Sequence, residues 1–77
     1  MDEKILEHMG LAFGEDMTGK ALGDCTPSTV RGWDSLAFLN LVFLLEEEFG
    51  ISLDIDEIAK MAQGGQYIKE VISEKQD

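Results

Sequence analysis

Apolar residues recur at helical spacing in three stretches of the chain, and in the middle stretch they do so on two faces at once. Ile5, Leu6, Met9, Ala12 and Phe13 predict a first helix from about Asp2 to Phe13, opened by acidic Asp2 and Glu3 and stopped by Gly14. Gly10 is its weak point, because glycine disfavours a helix interior. His8 falls on the polar side and reads as solvated. From Gly14 to Trp33 the periodicity stops. That segment holds four of the eight glycines and the only proline, Pro27, and reads as a long connection with a helical turn near Met17 to Leu22. Leu22 and Val30 are the side chains expected to pin it to the core. A connection of this length in a compact domain usually has a job.

The stretch SLAFLNLVFLLEEEF predicts a second helix from Ser35 to about Phe49, with Asp34 as N-cap and Gly50 as the C-terminal stop. At about 100° per residue, Phe38, Leu41, Val42, Leu45 and Phe49 fall on one core-facing stripe. Leu36, Leu39 and Phe43 form a second stripe on the opposite side, and Leu44 belongs to neither. A helix apolar on both sides is either buried in a large protein or meets something. The other helices of so small a chain cannot cover both faces, so the second stripe is expected to be exposed as a partner-binding surface. Glu46, Glu47 and Glu48 follow it, at a helix end where negative charge is mildly unfavourable.

After Gly50 the alternation of Ile51, Leu53 and Ile55 predicts an extended linker, since one short strand without a partner makes no sheet. A short helix from about Asp56 to Met61 follows, with Ile58 and Met61 inward. Gly64 and Gly65 break the chain. Tyr67, Ile68, Val71 and Ile72 then predict a last helix to about Lys75. The expected fold is all-α: a single domain over residues 1–77, a small four-helix bundle of three longer helices and one short one, with a long first loop.

Charge narrows the partners. Six basic residues against sixteen acidic ones give a net charge of −10. That balance argues against nucleic acid and anionic membrane, which reward basic faces, and favours basic surfaces on partner proteins. The 44% apolar content predicts a folded chain. No signal peptide is visible at the N-terminus, and the longest apolar run, Leu41 to Leu45, is far too short to span a bilayer. The single cysteine, Cys25, permits no internal disulfide, and a cytoplasmic monomer is the expectation.

Candidate chemistry is sparse. One histidine and one cysteine build neither a nucleophilic pair nor a zinc set, and no glycine-rich phosphate loop is present. Asp54, Asp56 and Glu57 lack the spacing of a calcium loop. The chain is not expected to be an enzyme. What remains is Ser35 at the start of the second helix, where free N–H groups and the helix dipole favour an attached phosphate. The plain alternative is that Asp34 and Ser35 only cap the helix.

The stretch GWDSLAFLNLVFLLEEEF resembles the second helix of the acyl carrier protein family, with its Asp-Ser-Leu triplet, apolar run and closing Leu-Glu-Glu-Glu-Phe. The resemblance extends to helix order, the long first loop, acidic balance and length, and so covers essentially the whole chain. It implies that Ser35, flanked by Asp34 and Leu36, is esterified with 4′-phosphopantetheine by a phosphopantetheinyl transferase using coenzyme A. The arm of such a carrier holds acyl groups as thioesters and presents them to acyl-transferring, condensing or ligase enzymes with basic or apolar docking patches. By the same resemblance Leu36, Leu39, Phe43, Glu46 and Glu47 are partner-contact positions.

Two alternatives are a peptidyl or aminoacyl carrier of a synthetase system and an unmodified helical adaptor. The chain also departs from the pattern of carriers in bacterial fatty acid synthesis, which have acidic residues two and five places after the serine. Here these are Ala37 and Asn40, which implies less basic partners and a specialised polyketide, lipid or natural-product pathway.

Overall fold

A computed structural model describes residues 1–76 of the chain. Four α-helices form in the order α1 (Asp2–Phe13), α2 (Ser35–Phe49), α3 (Ile55–Met61) and α4 (Gly65–Gln76), with a 3₁₀ turn at Leu22–Asp24 between the first two. No strand occurs among the described residues. The expected all-helical bundle of three longer helices and one short one is therefore the observed architecture. α1 packs on α2, α3 on α4, and α4 on the 3₁₀ turn.

The core draws on every element. Ile5 and Met9 of α1, Leu41 and Leu45 of α2, Met61 of α3, and Ile68 and Ile72 of α4 are all fully enclosed. The long connection adds Met17, Leu22, Cys25 and Val30, all buried, so it is part of the core rather than a slack tether. Leu22 and Val30 pin it as expected. The anticipated helical turn is split in two: a reverse turn closed by the Lys20 N–H donating to the Met17 carbonyl at 3.1 Å, and the 3₁₀ turn a little further on.

Two glycines set close approaches. A Cβ on Gly32 would collide with the carbonyl of Phe13, and one on Gly65 with the carbonyl of Leu22. Gly32 thus lets the end of the connection lie against the end of α1. Gly65 lets α4 start against the 3₁₀ turn, where its N–H donates to the Cys25 carbonyl at 2.7 Å. The expected break at Gly64 and Gly65 is narrower than anticipated. Gly64, at φ 159, makes the turn, and Gly65 is already the first residue of α4.

Two further expectations are corrected. α3 begins at Ile55 rather than Asp56 because Asp54 and Glu57 form a capping box. Asp54 accepts from the Glu57 N–H at 2.9 Å, and Glu57 accepts from the Asp54 N–H at 3.0 Å. Ile55 therefore stands on the first turn of a helix and is 82% exposed. Of the residues whose spacing marked α4, Ile68, Val71 and Ile72 are buried and Tyr67 is exposed. His8 is not solvated: it is half-buried between α1 and the end of α2, with Nε2 2.8 Å from Glu48 Oε1.

Candidate functional site

Ser35 is exposed at the first position of α2, and the residues before it explain why it stands there. Trp33 stacks against Phe13 with ring centroids 4.9 Å apart, and against Phe38 at 6.0 Å. The indole is thereby held between the end of α1 and the first turn of α2. Asp34 follows in extended conformation, and its Oδ1 accepts the Ala37 N–H at 2.8 Å, as the expected N-cap. Its carbonyl accepts the Phe38 N–H at 2.9 Å. The N–H groups of Ser35 and Leu36, which no helical carbonyl can reach, are left to solvent or to an attached anion.

An open depression adjoins the serine, with Pro27, Trp33, Phe38 and Ala62 along its sides and Asp34 and Ser35 at its edge. Sequence reasoning did not assemble this wall. Pro27 comes from the connection and Ala62 from the end of α3, and only folding brings them to Ser35. The signal that could have been read further is Gly32-Trp33, a close-approach glycine and a large aromatic directly before an N-cap.

The two faces of α2 separate as the helical wheel requires. Phe38, Leu41, Val42 and Leu45 are buried, Phe49 is half-buried against the core, and Leu44 is half-buried between the faces. On the other side Leu36 is 71% exposed, Leu39 44% and Phe43 64%. With Glu47 they span about 80° of the helix surface, next to Ser35. Asn40 is exposed beside them. Ala37, two places after the serine, is half-buried and packs against the core.

The three glutamates do not act alike. Glu46 is half-buried, and its Oε2 accepts the Leu53 N–H at 2.9 Å, which fastens the linker after α2. Glu48 receives the hydrogen bond from His8, and that bond first of all holds its carboxyl below the usual range. Glu47 is exposed and has no partner among the described residues. Of the two acidic positions that the resemblance marks for docking, Glu47 thus lies free on the stripe, while Glu46 is engaged within the fold.

The remaining candidate groups stand apart. Cys25 is buried, its Sγ lies 3.4 Å from the Ala21 carbonyl, and burial pushes its thiol up from the ordinary value. Asp54 and Glu57 are occupied in the capping box. Among the described residues no set of His, Cys, Asp and Glu is placed to hold a metal, and no helix is long and apolar enough to cross a membrane. Comparison with protein-family models, curated proteins and solved structures finds no match to this chain.

Proposed function

We propose that the chain is an acyl carrier protein whose Ser35 receives a 4′-phosphopantetheine arm. The observation that carries this reading is the pairing of an exposed hydroxyl at a helix N-terminus with an exposed apolar stripe, Leu36, Leu39 and Phe43, on the same helix. A modifying enzyme can grip the stripe while the hydroxyl remains open to it. In the attachment step the Ser35 Oγ–H bond breaks and an Oγ–P bond forms to the phosphorus of the pantetheine phosphate in coenzyme A. The pyrophosphate link opens, adenosine 3′,5′-bisphosphate leaves, and the hydroxyl proton passes to a base of the transferase.

The residues present fit such a group. A phosphodiester on Ser35 would be held by the free N–H groups of Ser35 and Leu36 at the positive end of α2. The depression along Trp33, Phe38, Pro27 and Ala62 offers an apolar wall to the first part of the arm. When attached, the arm supplies the thiol on which an acyl group is held. The protein itself performs no catalysis. It anchors the tether, keeps the thiol at high effective concentration near a docked enzyme, and releases the partner readily.

Mass spectrometry tests the proposal. Apo-protein incubated with coenzyme A and a broad-specificity phosphopantetheinyl transferase is expected to gain the mass of one phosphopantetheine, and Ser35→Ala is expected to gain none. Wild-type protein that stays unmodified, while a known carrier in the same tube is modified, overturns the proposal.

A further inference from the structure

A groove on a different part of the surface shares no lining residue with the depression at Ser35. α1 forms one wall and residues 15–20 the other. Gly14, at φ 69, turns the chain back at the end of α1. Gly10 lacks the Cβ that would stand 2.9 Å from the Glu15 carbonyl, so the returning segment can lie close to the helix. The second wall is fixed in place. Met17 is buried, Glu15 Oε1 accepts the Arg31 N–H at 2.8 Å, and Asp16 Oδ1 accepts the Thr18 N–H at 2.9 Å.

The lining combines two chemistries. Leu6 and Met17 lie at its base, and Leu11 stands beside them with 68% of its surface exposed. Glu3, Glu7 and Asp16 stand around them, and Lys20 is the only basic lining residue. Asp2 is paired with Lys69 at 3.1 Å and Glu15 accepts the backbone N–H of Arg31, but Glu3 and Glu7 have no partner among the described residues. Unpaired carboxylates beside an exposed leucine match a ligand that is cationic and apolar together. An anionic surface is repelled here, and a purely polar cation leaves Leu11 uncovered.

We propose that this groove docks a basic amphipathic segment of another protein, with its apolar side on Leu11 and Leu6 and its lysines or arginines over Glu3 and Glu7. The proposal stands apart from the carrier reading, because it uses neither Ser35 nor the stripe on α2. It gives the molecule a second handle, one that can be held while α2 is engaged elsewhere.

The test uses the ¹⁵N-labelled full chain and two synthetic peptides of equal charge. One carries leucine and lysine at helical spacing; in the other every leucine is replaced by serine. The amphipathic peptide is expected to shift the amides of residues 3–11 and 15–20, and to lose affinity as salt is raised. The serine peptide is expected to bind at least about tenfold more weakly, and Leu11→Ser to weaken the amphipathic peptide about fivefold or more. Glu7→Gln is expected to weaken it by roughly threefold. Leu11 and Glu7 are exposed, so circular dichroism should show both variants folded. The proposal is overturned if the amphipathic peptide does not bind, if its shifts centre on Leu36, Leu39 and Phe43, if the serine peptide binds as tightly, or if folded Leu11→Ser binds like wild type.

Discussion

Trp33 lies parallel to Phe13 within 21°, and this stack ties the residue two places before Ser35 to the far end of α1. Gly32 makes it possible, since any side chain there would strike the Phe13 carbonyl. The position of the candidate serine therefore depends on α1 and the connection as much as on α2.

Removing the stack should loosen that position. Trp33→Ala is expected to cost about 2–3 kcal/mol in urea unfolding, less than the deletion of a fully buried aromatic because the indole is only half-buried. Trp33→Phe, which keeps an aromatic ring, is expected to cost less than about 1.5 kcal/mol. Gly32→Ala forces Phe13 and Trp33 apart and should cost about 1–3 kcal/mol, as overpacking does. A Gly32→Ala protein as stable as wild type would show that the approach to Phe13 is not tight.

The two faces of α2 predict opposite outcomes for the same substitution. Leu39→Asp and Phe43→Asp place a charge on an exposed surface and should change stability by no more than about 1 kcal/mol. Phe38→Asp and Leu45→Asp bury an unpaired carboxylate and should unfold the domain, since that penalty of several kcal/mol approaches the whole stability of a small fold. Circular dichroism and thermal melts on the four proteins decide this. If Leu39→Asp and Phe43→Asp are the unfolded pair, the faces are reversed.

Charge on the exposed stripe is thin, because Glu46 and Glu48 are engaged within the fold and Glu47 alone is free there. If Ser35 carries the arm, adding a carboxylate should improve docking to a housekeeping malonyl transferase with a basic patch. Asn40→Glu is the clean variant, since Asn40 is exposed whereas Ala37 packs on the core. The gain is expected to be about 0.5–1 kcal/mol, roughly threefold in affinity. Loading rates of the holo-proteins, measured in competition, give the answer. Wild type loading as fast as a housekeeping carrier, with no gain in Asn40→Glu, would sink the idea of less basic partners.

The His8–Glu48 contact gives a pH dependence of known sign. The hydrogen bond from His8 depresses the Glu48 carboxyl in the folded state below its ordinary 4.5. A depressed carboxyl favours the fold above the unfolded-state value, and that contribution is lost as pH falls through the lower folded value. The stability difference between wild type and Glu48→Gln is therefore expected to shrink as pH is lowered from about 5 to about 3. Urea midpoints across that range measure it. A difference that grows on acidification contradicts the assigned hydrogen bond.

Periodicity located the three longer helices and both faces of α2, because the 3.6-residue repeat is a local property written directly in Leu36, Leu39 and Phe43 on one side and Phe38, Leu41 and Leu45 on the other. Residue type marked the caps Asp34, Gly14 and Gly50, whose chemistry acts over one turn of chain. Where the outcome depended on residues distant in sequence, only folding decided it. His8 looked solvated on its own helix and became half-buried when α2 brought Glu48 against it across forty residues. Glu46 looked like a free charge, but the linker after α2 turns the Leu53 N–H onto its carboxylate. The wall beside Ser35 joins Pro27 and Trp33 of the connection to Phe38 of α2 and Ala62 at the end of α3. Helical spacing fixes which way a side chain points from its own axis, whereas packing between elements fixes what it meets there.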